Sequence, residues 1–308
     1  MHTTIATTAL LGAAKNAFPN AYARYLQWQY RRVPLATRIA PILASNARPT
    51  YYDEHFERLQ SSYTQWWPEY GYDSYGTWAR GCERAIKLLR IPELRSRDMA
   101  ILEAGCGDGM MGRALASFGN FREVTLNDAE DWRDARASSF NFVKGNFCSR
   151  LPIEADVFDL IVTYNTFEHI KDPEAALGEL VRICRPGGHI YIDFNPLFCS
   201  PLGLHAWSFT MPYPQFLFSP NLIDAKVHEL GVNDLGEDSR VLQPTNGWRL
   251  DQFRKLWRQP GCTVVSLKES TEDRHLSIVT DFPDAFCGRG LTVEDLVIAG
   301  VSILLRKN

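Results

Sequence analysis

The residues whose types and spacing could do chemistry begin with Glu103, Gly105, Gly107, Gly109 and Asp128. Four of them lie in "ILEAGCGDGMMG" (101–112), and the fifth closes "EVTLND" (123–128). Glycines at alternate positions behind an apolar run let the chain take positive φ and bring its amides close to a ligand. The stretch has two registers. From Glu103 it is acid-x-Gly105-x-Gly107-x-Gly109; from Gly107 it is Gly107-x-Gly109-x-x-Gly112, the spacing of a dinucleotide site. In such a site the first glycine stands at the strand's end, so that the following helix N-terminus faces the pyrophosphate. The strand "AILEA" runs out at Ala104, which would put the third glycine at position 110, where Met110 stands. The literal dinucleotide match starts two residues too late.

The earlier register also explains Glu103. A carboxylate beside the loop would repel a pyrophosphate, but it suits an ammonium or a sulfonium. Asp128 lies 23 residues beyond Gly105, close to the spacing of about 20 at which an acid reaches ribose hydroxyls. A ribose and a cation without a pyrophosphate describe S-adenosylmethionine. A nicotinamide-dependent oxidoreductase using Gly107 to Gly112 is the competing reading from another class. Asp128 can in addition cap a helix over "AEDWRDARASS".

These side chains need elements to position them, and the pattern from Met99 onward supplies them. Short apolar runs alternate with amphipathic helical ones, the pattern of a sheet with helices on both faces. "MAILEAG" (99–105), "EVTLND" (123–128), "FNFVKGN" (140–146), "FDLIVTYN" (158–165) and "HIYIDFN" (189–195) read as strands. "CTVVSLKES" and "VSILLRKN" supply two more. "MMGRALASFG" reads as a helix, as does "DPEAALGELVRIC" with Asp172 as N-cap and Pro173 at its first position, stopped by "RPGG". "RLDQFRKLWRQPG" (249–261) is a further helix, closed by Pro260 and Gly261. Residues 1–98 form an N-terminal helical cap, and residues 99–308 a cofactor-binding domain with an acceptor-covering insertion at 196–246. From 194 to 223 the chain carries no Asp, Glu, Lys or Arg and holds Pro196, Pro201, Pro212, Pro214 and Pro220, which excludes a continuous helix. His205 is the imidazole of that stretch, a candidate proton acceptor near neutral pH. Its aromatics Phe198, Trp207, Phe209, Tyr213, Phe216 and Phe218 mostly seal the insertion onto the core.

Taken together, the chain resembles the class I S-adenosylmethionine-dependent methyltransferases, in particular their small-molecule branch. "LEAGCGDG" is similar to the family's glycine motif, "LND" to its ribose acid, "KGNF" to its adenine-flanking turn, "FDLIVTYNTFEHI" to its fourth strand and exit, and "RICRPGGHIYI" to its fifth-strand approach. The resemblance implies a Rossmann-like seven-stranded α/β sheet, mostly parallel with the last strand antiparallel. It implies that Glu103 orients the methionine ammonium, that Gly105, Cys106, Gly107 and Gly109 pass against the cofactor, and that Asp128 binds both ribose hydroxyls. Asn146 and Phe147 would flank the adenine, Asn146 standing where many relatives have Asp. Tyr164 and Asn165 would lie beneath the sulfonium, and Tyr72 and Tyr75 would close the cofactor side. Some members carry ExxEH after the fourth strand and bind magnesium. Here the first acid is Asn165, and losing a carboxylate weakens a hard-cation site, so no metal is expected. His169 would point into the acceptor pocket or satisfy a loop carbonyl. With His205 it is the candidate base; the product would be S-adenosylhomocysteine.

Bulk composition sets the remaining bounds. The 308 residues are 45% hydrophobic and 22% charged, as in an ordinary globular protein. A net charge of -3 argues against a surface that grips nucleic acid throughout. Residues 1–52 hold no Asp or Glu but six Lys and Arg, which leaves open peripheral membrane contact or an RNA methyltransferase gripping through its leader. The seven cysteines are scattered without a CxxC pair, indicating neither disulfide framework nor zinc knuckle, and a reducing cytoplasm is expected. "LVIAGVSILL" is too short to span a bilayer.

Overall fold

In the computed structural model, which describes residues 34–64, 74–94, 98–119, 121–232 and 239–308, the apolar runs become one seven-stranded sheet. The strands are β1 (Ala100–Ala104), β2 (Glu123–Asp128), β3 (Asn141–Lys144), β4 (Phe158–Tyr164), β5 (Cys184–Phe194), β6 (Cys262–Thr271) and β7 (Ile298–Lys307). Their order is β3-β2-β1-β4-β5-β7-β6. β1 to β5 pair in parallel, and β7 runs antiparallel to both β5 and β6. Every residue of β1 is buried, as a parallel strand covered on both faces requires.

The helices cover the two faces. They are α1 (Pro34–Ala44), α2 (Phe56–Ser62), α3 (Ser74–Leu89), α4 (Met110–Phe118), α5 (Pro173–Ile183), α6 (Pro220–Leu230) and α7 (Leu250–Leu256), with single turns at Pro214–Leu217, Ser277–Asp281, Pro283–Phe286 and Val293–Val297. On one face Ala85 and Leu88 of α3 meet Met110, Met111, Ala114 and Leu115 of α4 over Ile101, Leu160 and Val162. On the other, Ala176, Leu177, Leu180 and Ile183 of α5 join a larger core. α5 starts where expected: the Asp172 carboxylate accepts from Ala175 N at 3.0 Å, with Pro173 at the first helical position.

Ile39, Leu43, Phe56 and Leu59 of α1 and α2 belong to the same core as Phe167, Phe194 and the insertion's Phe209, Tyr213 and Phe218. Polar contacts reinforce this. Gln60 donates through Nε2 to Ser208 O at 2.8 Å and accepts through Oε1 from Thr210 N at 3.1 Å. Asp53 accepts from both the amide and the hydroxyl of Ser219. The leader segment 34–62 and the insertion are therefore bound to each other as well as to the sheet. Four of the insertion's aromatics, Phe209, Tyr213, Phe216 and Phe218, are buried, sealing it onto the core, while Phe198 and Trp207 stay half-buried.

Three expectations about local structure change. β5 begins at Cys184, so "RPGG" lies inside the strand. Cys184 pairs with Phe158, the register then shifts, and regular pairing resumes at His189. α7 ends at Leu256 rather than near Pro260, because Pro260 has no N–H to give the Leu256 carbonyl and its ring would clash with that carbonyl. No helix follows Asp128; the chain there makes only a 3₁₀ turn at Ala135–Ala137, capped by Asp134. Residues 1–33, most of the acid-free leader, and Tyr72 lie outside the described residues. Among the described ones no helix is long and apolar enough to cross a membrane.

Tyr213 tests how the insertion is fastened. It is fully buried and its hydroxyl donates to Leu296 O at 2.9 Å, just before β7. Tyr213→Phe leaves that carbonyl unsatisfied and should lower the unfolding free energy by about 1 to 3 kcal/mol in urea denaturation.

Candidate active site

The glycine loop leaves β1 and enters α4 with Gly105, Gly107 and Gly109 all at positive φ, of 72°, 50° and 72°. Two of these positions carry further constraint. A Cβ on Gly105 would come within 2.5 Å of the Thr166 side chain, whereas a Cβ on Gly107 would meet nothing within 4 Å. The loop thus rests on Thr166 from one side and faces open space at Gly107. It is held by polar groups from both neighbouring strands. Asn127, fully buried in β2, accepts the amides of Gly105 and Cys106 on its carbonyl at 2.9 Å each, and its side chain donates to Val143 O and Gly145 O.

The two acids grip the loop at opposite ends. Glu103, 3% exposed, accepts from Gly112 N at 2.7 Å through Oε2. Asp128 accepts from Gly107 N at 2.8 Å through Oδ2 and from Ala129 N at 2.7 Å through Oδ1. Gly112 is glycine because a Cβ there would stand 2.7 Å from the Glu103 carboxylate. Burial pushes the Glu103 carboxyl up to about 8; the Gly112 amide opposes this and the charges of Asp108 and Asp128 add to it. Burial also raises the Asp128 carboxyl, against the pull of its backbone amides. An anion placed here would aggravate both shifts, and a cation would relieve them. Cys106 is buried and its thiol is raised far above its usual range by desolvation, so the loop contributes backbone here and no thiolate.

Around this centre the other expected residues separate. Asn146 is exposed, and its side-chain oxygen caps the turn after β3 by accepting from Cys148 N at 2.8 Å. Phe147 is 4% exposed and its ring belongs to the core beside Phe167. Tyr164 closes β4, stacked obliquely on Tyr191, with the Arg84 guanidinium 5.4 Å from its ring centre. Asn165 is exposed at φ 46°. Tyr75, 79% exposed at the start of α3, covers nothing among the described residues. The start of α3 is instead tied to the segment after β2 by Arg136, which donates to Ser74 O and Thr77 Oγ1.

His169 and His205 come together. Their rings meet edge to face at 4.7 Å, interplanar angle 88°. The His169 Nδ1 lies 2.9 Å from Pro244 O, which can only accept, so Nδ1 carries a proton there. His169 therefore both satisfies a loop carbonyl and faces the other imidazole. His205 is 7% exposed and held at φ 60°. Asn127, Thr166 and Arg136 were not singled out in the sequence; only the first left a signal, a polar residue at an inward position of an otherwise apolar strand.

The strand order and the acid-framed glycine loop behind β1 agree with the resemblance to class I S-adenosylmethionine-dependent methyltransferases that the motifs carry. Residues 102–192 match the family model described as a methyltransferase domain, from β1 into β5. Among curated proteins, the chain is 33% identical over 101 residues to malonyl-[acyl-carrier protein] O-methyltransferase of Porphyromonas gingivalis, covering 31% of this chain and 38% of that one. It is 30% identical over 98 residues to a sterol 24-C-methyltransferase of Schizosaccharomyces pombe, covering 29% and 25%. The chain spans about two-fifths or less of the length of these relatives. Among solved structures, the PH0226 protein of Pyrococcus horikoshii OT3 aligns over 84% of this chain and 100% of that one, at 14% identity and a TM-score of 0.47.

Glu103 gives the site a pH signature. Its folded-state value of about 8 exceeds the ordinary 4.5, so its contribution to stability is complete below about pH 4.5 and is lost as pH rises through 8. Thermal unfolding of the ligand-free protein should therefore show a melting temperature that falls over that window. Glu103→Gln, which keeps an acceptor for Gly112 N, should flatten the fall.

Proposed function

We propose that this chain transfers the methyl group of S-adenosylmethionine to a small, rather apolar acceptor through an oxygen or nitrogen nucleophile. The observation that carries the reading is the pair of carboxylates fixed at opposite ends of one glycine loop, beside open space at Gly107. Glu103 would meet the methionine ammonium, Asp128 the ribose hydroxyls, and the backbone at Gly105, Cys106, Gly107 and Gly109 would lie along the cofactor. Asn146 and the backbone at Phe147 would border the adenine, with Tyr164 and Asn165 below the sulfonium. A pyrophosphate has no place beside one buried and one half-buried acid, which disfavours the nicotinamide alternative.

The reaction would be an in-line displacement. The acceptor's lone pair forms the new bond to the methyl carbon, the S–C bond breaks with its electrons passing to sulfur, and the cofactor leaves as neutral S-adenosylhomocysteine. Holding nucleophile and methyl in line supplies most of the acceleration, up to about 7 to 11 kcal/mol in well-oriented systems. A hydroxyl acceptor must also lose its proton. His169 and His205, whose rings meet edge to face, are the groups suited to manage that proton. The relatives' names include both O- and C-methyltransferases, and their likeness covers under a third of this chain, so the acceptor is argued from the uncharged insertion alone. Seven free cysteines go with a cytoplasmic setting.

Calorimetry with S-adenosylhomocysteine tests the reading. Asp128→Ala removes two charge-assisted hydrogen bonds and should weaken binding by at least about 100-fold; an unchanged affinity refutes the assignment. Since Glu103 is protonated without ligand up to about pH 8, binding at pH 7 should also release protons to buffer. The heats should then vary with the buffer's ionisation enthalpy, and Glu103→Gln should abolish that dependence.

A further inference from the structure

The turn after β4 and the insertion bring together three side chains that no sequence motif joins. Glu168 and His169 follow β4, while His205 arrives from the far side of β5. One ligand atom from each lies within 4.8 Å of the other two. We infer that Glu168, His169 and His205 form a site for a divalent first-row transition ion of the zinc type, beside the acceptor.

The geometry favours coordination over a plain ion pair. His169 Nε2 and Glu168 Oε1 stand 4.0 Å apart. That is too long for a hydrogen bond, yet it needs only a modest closing to reach the separation of about 3.4 Å between two ligands of a tetrahedral ion with bonds of about 2.1 Å. His169 Nδ1–H donates to Pro244 O, which orients the ring with its other nitrogen on the Glu168 side, the usual outer-shell arrangement of ligating imidazoles. Glu168 is also fixed from outside. Asn246 donates its backbone N–H to Glu168 O at 2.7 Å and its side-chain amide to Phe167 O and Ile170 O, clamping the turn that carries both ligands. The left-handed backbone of His205 aims its ring at the same point, at a conformational cost that residues at ligand sites commonly bear.

The donor set selects the ion. Two imidazoles and one carboxylate suit zinc, cobalt or manganese rather than magnesium or calcium, which favour oxygen ligands. The argument against a metal from Asn165 concerned a hard-cation site built along one motif; His205 supplies a third ligand of a different kind. Three protein ligands leave a position open, as in catalytic rather than structural zinc sites. The use of that position rests on the methyl-transfer reading above, with the ion taking over the imidazoles' role toward the acceptor's proton: an acceptor oxygen bound there would lose its proton to solvent more readily and point its lone pair at the methyl. Occupancy of the site does not depend on that reading.

The test is titration of the full-length apo protein with Co²⁺ and Zn²⁺ alone. The expected result is one equivalent bound, visible d–d bands with Co²⁺, and an X-ray absorption spectrum of the zinc form showing nitrogen and oxygen neighbours only. His205→Gln and Glu168→Gln should each weaken binding at least 10-fold while S-adenosylhomocysteine affinity, measured in parallel, stays within about twofold. Failure to bind one equivalent, sulfur in the coordination shell, or equal affinity in both variants overturns the site. Should a variant misfold and lose S-adenosylhomocysteine binding, the wild-type absorption spectrum still decides. Metal binding without any S-adenosylhomocysteine binding would overturn the functional reading and leave the site standing.

Discussion

Two carboxylates holding the two ends of one short loop are the constraint on which the rest depends. The parallel register of β1 and β2 sets Ala104 beside Asn127, so Asp128 emerges next to the loop as it begins. Glu103, one residue from the end of β1, reaches under the loop to the first turn of α4. With Asn127 taking two further amides, the backbone between Gly105 and Gly112 is fixed before any ligand arrives. That fixation has an electrostatic cost, since two acids are brought into low-polarity surroundings near each other. The site is thereby biased toward cationic ligands by its own strain, independently of any particular contact the ligand makes.

Much of this was readable in the residues. Strand positions and the Asp172 cap follow from period and punctuation, because each is decided by neighbours within a few residues; the antiparallel last strand was implied by the family resemblance. What failed was also local in appearance but decided elsewhere. "RPGG" reads as a stop, and the helix does end at Ile183, but the same residues already belong to β5, because Cys184 is recruited into it by pairing with Phe158 across the sheet. "AEDWRDARASS" has helical composition, but Arg133 and Arg136 spend their side chains on Asp131 and Asp134, each two residues away. Such i,i+2 pairs hold turns; on a helix those residues do not face each other.

The site divides in the same way. Glu103, Gly105, Gly107 and Asp128 sit at element ends whose positions the pattern fixes. Phe147 and Tyr75 do not, and one turned into the core while the other turned to solvent. The meeting of His169 with His205 was beyond reach of spacing, since it depends on how an irregular, proline-rich segment folds back across β5. Gln60 and Asp53 of the leader segment help hold that fold-back in place, so residues remote from the histidines in sequence still set their separation.

The position of β7 bears on how the molecule is made. β5 has β4 on one side and β7 on the other, and β6 touches the sheet only through β7. While a nascent chain is still on the ribosome, the first five strands can zip together as they emerge, but the outer rim of β5 stays a row of open amides and carbonyls until residues 298–307 have been synthesised. That rim is an invitation to mispairing with other chains. An incomplete chain is thus open to mispairing along β5 for as long as the penultimate sheet position waits for residues 298–307.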